Sequence, residues 1–333
     1  MLKAYEYRIY PTIEQEILME KHFGCVRLLY NVALLYRKYA WESRVSIGYN
    51  KCSEELKELK KEYPFLKEVN SQSLQKSLKD LDEAYVKFQK KKTKYPRFKS
   101  KSEKQSFHCP QNVVISLHKG KLFLPKFDDS IQVEVHRKFK GELRSCTVSK
   151  TSSGKYFVSI LVENNQSFPL KKPVLEETTV GGDLGIKTFI SLSDGTKIDN
   201  PKFLKKSIEK VKYLSRDLSK KQKGSNRREK ARKRLAKAHE KVANQRKNFL
   251  HQGSNEITNQ NDTVCLETLA VENLRKNRSL SSEISDVGWG MFKEFTKYKC
   301  LQKRKNFIEI GRFEPSSKTC HCCDYVNHDL KLS

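Results

Sequence analysis

Two carboxylates and one cysteine pair are the residues of this chain whose types and spacing suit chemistry. Asp183 follows the apolar run Thr178-Thr179-Val180-Gly181-Gly182, and Glu267 follows Thr263-Val264-Cys265-Leu266, so each ends a segment that reads as a buried strand. If those strands are neighbours, both carboxylates reach one edge of a common sheet. That arrangement suits phosphodiester hydrolysis, because paired carboxylates hold two Mg²⁺ ions about 4 Å apart, where the ions activate water and stabilise the leaving oxygen. A carboxylate at a strand end also serves as a helix cap or a solvated loop residue; the Gly-rich turn beside Asp183 and the charge of the chain favour the site. The second feature is Ser316-Ser317-Lys318-Thr319-Cys320-His321-Cys322-Cys323, in which Cys320 and Cys323 have the spacing of Zn²⁺ ligands and Cys322 or His321 can substitute for one of them. A closed structural zinc site takes four ligands. Asn327, His328 and Asp329 follow without a second C-x-x-C, so the expected Zn²⁺ site is incomplete within these residues.

Charge names the partner. Lys and Arg number 67 against 39 Asp and Glu, a net +28 over 333 residues, and such an excess is suited to releasing counterions from a phosphate backbone. Nucleic acid is the expected partner; a membrane surface is the competing reading, and it is disfavoured because no apolar run approaches the roughly 18 residues of a spanning helix and the basic residues are spread along the chain. Cys25, Cys52, Cys109, Cys146, Cys265 and Cys300 occur singly, as buried thiols in a reducing compartment do. The N-terminus lacks a signal-peptide core, and a cytoplasmic location is expected.

The elements that must position these residues follow from periodicity. Tyr5, Tyr7 and Ile9 alternate as on a half-buried strand, and Pro11 ends it. Thr12 with Gln15 makes a capping box for a helix whose apolar residues Ile17, Val26, Leu29, Val32, Ala33 and Tyr36 carry it to about Tyr39. A second helix follows Ser53, and a third runs from Ser71 with Leu74, Leu78, Leu81, Tyr85 and Phe88 as its apolar stripe. The linker that includes Lys94, Tyr95, Arg97, Phe98 and Lys99 interleaves cations with rings, a pattern that grips phosphates and stacks on bases. Beyond it the period switches to two, over Val113–Leu117, Lys121–Leu124, Ile131–Val135, Arg144–Ser149 and Tyr156–Val162, which reads as an antiparallel, barrel-like unit that the N-terminal strand can join. Residues 202–250 read as a basic helical hairpin broken near Lys223-Gly224-Ser225-Asn226. Its Arg227, Arg228, Arg232 and Arg234 are placed for phosphate contact, and a solvated hairpin held by pairs such as Glu229 with Lys233 is the plainer account.

Taken in order, these residues resemble the TnpB (OrfB) proteins of insertion sequences, RNA-guided nucleases often called transposases and related to compact type V CRISPR effectors. Lys3-Ala-Tyr-Glu-Tyr-Arg-Ile-Tyr-Pro-Thr is similar to the opening of that family, and Tyr95-Pro96-Arg97-Phe98-Lys99-Ser100-Lys101 to its junction between helical and barrel parts. Gly181-Gly182-Asp183-Leu184-Gly185-Ile186-Lys187 resembles the first RuvC motif, Cys265-Leu266-Glu267-Thr268-Leu269 the second, and Gly311 to Cys320 the approach to a zinc ribbon.

The resemblance implies a multidomain α/β plus all-β protein. Residues 1–10 and 96–170 would form a β-barrel carrying a helical insertion at 11–95; residues 171–312 would form an RNase H-like (RuvC) nuclease domain that includes the basic hairpin, and 313–333 the stub of a zinc ribbon. It implies Asp183 and Glu267 as catalytic Mg²⁺ ligands, Cys320 and Cys323 as the first two Zn²⁺ ligands, and a guide RNA and a target DNA as partners. Departures are expected to matter. The family continues with a second C-x-x-C and a third catalytic Asp; Gly182 stands where the strand usually has a β-branched residue, Gly253 at an apolar helix position, and Asp324 at the usual Gly of the knuckle. Cleavage is therefore expected to be impaired, with a nuclease-dead RNA-guided repressor, or a fragment of a longer frame, as the other readings.

Overall fold

The computed structural model describes residues 1–164, 170–274, 276–277, 280–311, 323 and 325–327. They divide into two units, residues 1–166 and 167–333.

In the first unit period-two stretches build one antiparallel sheet. Its strands are β1 (Leu2–Tyr10), β2 (Gln105–Cys109), β3 (Val114–Ser116), β4 (Lys121–Phe123), β5 (Ile131–Glu134), β6 (Glu142–Lys150) and β7 (Tyr156–Glu163). The order is β2-β6-β7-β1-β5-β4-β3, so β2 and β3 are edges and β1 lies inside, paired to β7 from Leu2↔Glu163 to Ile9↔Tyr156 and to β5 at Arg8↔Glu134. The sheet curls around one core that includes Tyr7, Ile9, Leu122, Ile131, Val148 and Ile160. Strand β2 is not foreseen by alternation because only Phe107 and Cys109 of its residues are apolar and buried.

Three helices separate β1 from β2: α1 (Ile13–Glu42), α2 (Tyr49–Glu62) and α3 (Ser71–Gln89). The capping box is present, with Gln15 N donating to Thr12 Oγ1 at 3.3 Å and Thr12 N to Gln15 Oε1 at 3.1 Å. Helix α2 starts before Ser53, at Tyr49. Two of the apolar residues that carry α1, Ile17 and Val32, are exposed. The reason is that α1 serves two cores: Met19 and Phe23 pack on the sheet, while Leu29, Ala33 and Leu34 pack on α2 and α3. Between these faces His22 is fully buried, its Nδ1 2.8 Å from Leu18 O and its Nε2 accepting from Asn70 N at 3.1 Å; burial lowers its pKa.

The second unit contains β8 (Thr179–Leu184), β9 (Thr188–Leu192), β10 (Lys197–Asp199), α4 (Phe203–Ser219), α5 (Asn226–Gln260) and β11 (Thr263–Glu267). After these come α6 (Val271–Leu274), α7 (Ser281–Val287), α8 (Trp289–Gln302) and β12 (Asn306–Ile310). The strand order is β10-β9-β8-β11-β12, antiparallel through β8 and parallel from β8 to β12. Helices α5, α7 and α8 supply Leu250, Ile257, Val287 and Phe292 to the core that covers Val180, Leu184, Val264 and Leu266. Helix α8 docks on α5 through Lys299, whose ammonium donates to Ser254 Oγ at 2.8 Å; burial lowers its pKa to about 8.

Candidate active site

The carboxylates are placed by strand register. β8 and β11 run parallel with Val264↔Val180, Cys265↔Gly181 and Leu266↔Gly182 as partners, so the next position along puts Glu267 beside Asp183. Alternation decides the face: Val180, Gly182 and Leu184 are buried with Val264 and Leu266, whereas Asp183 is exposed and Glu267 half-buried on the other side. The two carboxyls are close enough for the charge of one to act on the other. Burial first, and then the charge of Asp183, raise the pKa of Glu267.

Two glycines make the surroundings. At Gly185 a Cβ would fall 2.6 Å from Thr188 O, so the chain turns from β8 into β9 only because no side chain is there. At Gly182 a Cβ would meet Ile190 Cδ1 and Leu266 Cδ2 at 2.8 Å each: the neighbouring side chains have closed over the place of the absent β-branched residue, so the strand is packed in spite of its glycine. A bulge in the β9–β10 pairing accompanies the burial of two successive β9 residues, Phe189 and Ile190. Phe189 stands edge-on to Phe292 at 4.9 Å between ring centres.

A third carboxylate of the sheet, Glu309 on β12, pairs in register with Leu266 and so belongs to the opposite face. There Lys293 of α8 binds it at 2.7 Å and Lys297 at 3.6 Å, and the hydrogen bond from Lys293 holds its pKa low. It does not join the pair. Among the described residues no cluster of three His, Cys, Asp or Glu side chains is arranged to hold a metal ion. Cys320 and Asp324 lie outside the described residues, and Cys323 is exposed.

The cationic candidates divide by what they touch. Asn31 brackets the backbone of Lys99, accepting from Lys99 N at 2.8 Å and donating to Lys99 O at 2.9 Å, and Lys99 Nζ lies 3.9 Å from the centre of the Tyr30 ring. Tyr95 is fixed to Tyr85 by a 2.7 Å bond between hydroxyls, while Lys94, Arg97 and Phe98 are exposed. In the hairpin, Arg228 is committed to the turn, donating to Leu218 O and Lys221 O at 2.8 Å each. Glu229 accepts two bonds from Arg232, at 2.7 Å each. Arg227 and Arg234 are exposed. Sequence reasoning missed the Asn31 clamp, whose partner is 68 residues away, and the lysines of α8 that neutralise Glu309.

Residues 157–278 match a family described as "Probable transposase", residues 1–45 one described as "Helix-turn-helix domain", and residues 289–332 one described as "Cas12f1-like, TNB domain". A Streptomyces pristinaespiralis protein named "Putative RNA-guided DNA endonuclease" is 37% identical over 99% of this chain and 83% of its own length. The chain belongs to the TnpB (OrfB) family. A second TnpB-family relative, InsQ of Escherichia coli K12, is 30% identical over 99% of this chain and 84% of its own length. The fold is also that of a Cas12f1 chain solved by cryo-EM with sgRNA and target DNA: TM-score 0.50 at 13% identity, over 98% of this chain and 92% of that one. In this TnpB-family chain the segment matched as helix-turn-helix is β1 followed by the single 30-residue helix α1. Among the described residues no helix is long and apolar enough to cross a membrane.

Proposed function

We propose that this chain is an RNA-guided DNA endonuclease whose cleavage site is built on Asp183 and Glu267. The observation that carries the reading is the register of β8 on β11, which sets the two carboxylates side by side. The pair fits Mg²⁺ on its own chemistry, since two neighbouring carboxylates of like charge are a ready oxygen-donor set for a hard cation. When bound, Mg²⁺ supplies charge neutralisation at the phosphate and an activated water. The protein's part is orientation: Gly185 permits the turn behind Asp183, and the bonds along β8 and β11 hold both side chains to one face. Two carboxylates offer fewer oxygens than a pair of ions requires, so cleavage is impaired unless a further donor reaches them.

The strand order β10-β9-β8-β11-β12 supports an RNase H-like (RuvC) assignment for this unit, and the curled sheet with its three inserted helices supports a barrel-type domain with a helical insertion. Guide RNA and target DNA are the partners that the charge and the family favour. The exposed Arg227, Arg234, Lys94 and Arg97 would meet the backbone, in the manner of a protein that leaves sequence to base pairing. Cys320 and Cys323 would begin a zinc ribbon, and the protein would act in the cytoplasm.

The test is a Mg²⁺ titration followed by a cleavage assay with guide RNA. The wild type should bind the ion, and Asp183→Asn and Glu267→Gln should not. Equal binding by all three would remove the site, and guide-directed DNA binding with no cutting at any Mg²⁺ concentration would favour the repressor reading.

A further inference from the structure

We propose that a cavity at the C-terminal ends of α1 and α3 captures one unstacked nucleobase of a polynucleotide strand. The inference rests on the nucleic-acid reading above and names a ligand subsite within it. The cavity measures about 410 Å³ and is lined by Arg37, Trp41, Ile47, Tyr85, Phe88 and Tyr95, among others. That volume lies in the range of roughly 300 to 1,000 Å³ that encloses small ligands, and a lining so rich in rings offers flat faces for a base.

The rings are held in advance. Tyr95 stands edge-on to Tyr85 at 5.6 Å and to Phe88 at 5.3 Å, each at 85°, and the hydroxyls of Tyr85 and Tyr95 meet at 2.7 Å. Arg37 is stacked 4.0 Å from the centre of Tyr85 while bonded to Asp82 at 2.9 Å, so its plane is fixed as well. Trp41 behaves differently. It is 76% exposed, one of only two tryptophans in the chain, and the other, Trp289, is buried. A solvated indole beside preorganised rings is a stacking platform lacking its partner.

Charge complementarity says what that partner is. Between Phe88 and Tyr95 the chain runs Gln89-Lys90-Lys91-Lys92-Thr93-Lys94, and all four lysines are exposed. Both helices that wall the cavity end on a left-handed cation in place of the usual glycine, Arg44 at φ 60° and Lys91 at φ 53°. Apolar peptide gains nothing from this ring of positive charge. A base with phosphates on either side uses both the rings and the cations. Duplex DNA keeps its bases stacked, so the occupant is a single-stranded or everted nucleotide, of guide RNA or of opened target DNA.

The experiment titrates the full chain with oligouridine, oligothymidine, an abasic phosphodiester chain of equal length and a blunt DNA duplex, following tryptophan fluorescence and affinity. Expected are quenching by the two single strands, absent in Trp41→Phe, and affinity for them lowered roughly ten- to a hundredfold in Trp41→Ala, the loss of one base stack. The abasic chain and the duplex should neither quench nor distinguish Trp41→Ala from wild type. Preference for oligouridine assigns the subsite to RNA, and preference for oligothymidine to DNA. Equal, salt-sensitive binding of abasic and normal strands without quenching would overturn the subsite and leave the nucleic-acid reading standing. Failure of every probe to bind would overturn both. Self-association that Trp41→Ala abolishes, with no quenching by oligonucleotide, would make the occupant a second copy and overturn the proposal. Because Trp41 is solvated, its substitution leaves the fold intact, and an unchanged melting midpoint checks this.

Discussion

Strand β11 has a carboxylate at each end, and the two are treated oppositely. Asp262, just before the strand, receives Lys172 Nζ at 2.8 Å and Lys305 Nζ at 3.3 Å, and the bond from Lys172 leads in holding its pKa below the ordinary value. Its backbone joins the same knot, donating to Thr178 O at 3.0 Å and accepting from Asn306 N at 2.8 Å. Glu267, closing the strand, faces another carboxylate, and its pKa goes up. Two acidic residues five positions apart in sequence thus meet opposite surroundings: Asp262 fastens the strand, and Glu267 belongs to the proposed site. In a chain of net charge +28, a carboxylate beside a carboxylate is where the proposed Mg²⁺ would bind.

The largest expected break between the two ends is in catalysis. With guide RNA and Mg²⁺, whatever cleavage the chain supports should fall at least about a hundredfold in Glu267→Gln or Asp183→Asn, the scale of losing a metal ligand and its charge stabilisation, and stay unchanged in Asp262→Asn; gel assays on a labelled target check this. Next is metal-linked stability. At Mg²⁺ about a hundred times its dissociation constant, wild type and Asp262→Asn should gain roughly 2.7 kcal/mol by mass action, and Glu267→Gln should gain none, as calorimetry would show.

Third, Gly253→Ala should raise stability by about 1 kcal/mol from helix propensity. Its Cβ would meet Phe292 and Ile198 at the ordinary contact distances of 3.8 and 3.9 Å, and denaturant midpoints measure the gain without a change at either end of β11. The smallest effect is on pH. In metal-free buffer the folded state holds the Glu267 proton more tightly than the unfolded chain, so its ionisation costs stability above the raised pKa, and the cost is relieved as pH falls toward the ordinary 4.5. Asp262 contributes stability above its ordinary 3.8, which is lost as pH falls through its lowered value. Glu267→Gln should flatten the first slope and Asp262→Asn the second, and a shared slope would dissolve the contrast.

Much of this was legible in the residues. The strand that ends at Glu267, the strand that carries Asp183, the Thr12 capping box and the break between α4 and α5 all follow from local patterns. What was not legible depends on partners distant in sequence. Which apolar residues of α1 are buried does not follow from their spacing, because α1 turns from one core to a second along its length and leaves Ile17 and Val32 exposed. Arg228 and Arg232 read as phosphate ligands, and only the fold shows the first closing a turn and the second bound to Glu229. Gly182 read as a weakness, yet the side chains that compensate for it, Ile190 and Leu266, lie on two other strands. The cavity beside Trp41 assembles residues from α1, the loop after it, α3 and the linker, and no window of sequence contains them all.

The inside position of β1 has a consequence for biosynthesis. Strand β1 lies between two strands that leave the ribosome more than a hundred residues after it, β5 and β7. Until then both edges of an apolar ribbon bearing Tyr5, Tyr7 and Ile9 are without hydrogen-bonding neighbours, a condition that favours aggregation and slow closure. The nascent polypeptide should accordingly depend on chaperones early and release them only once β7 has emerged.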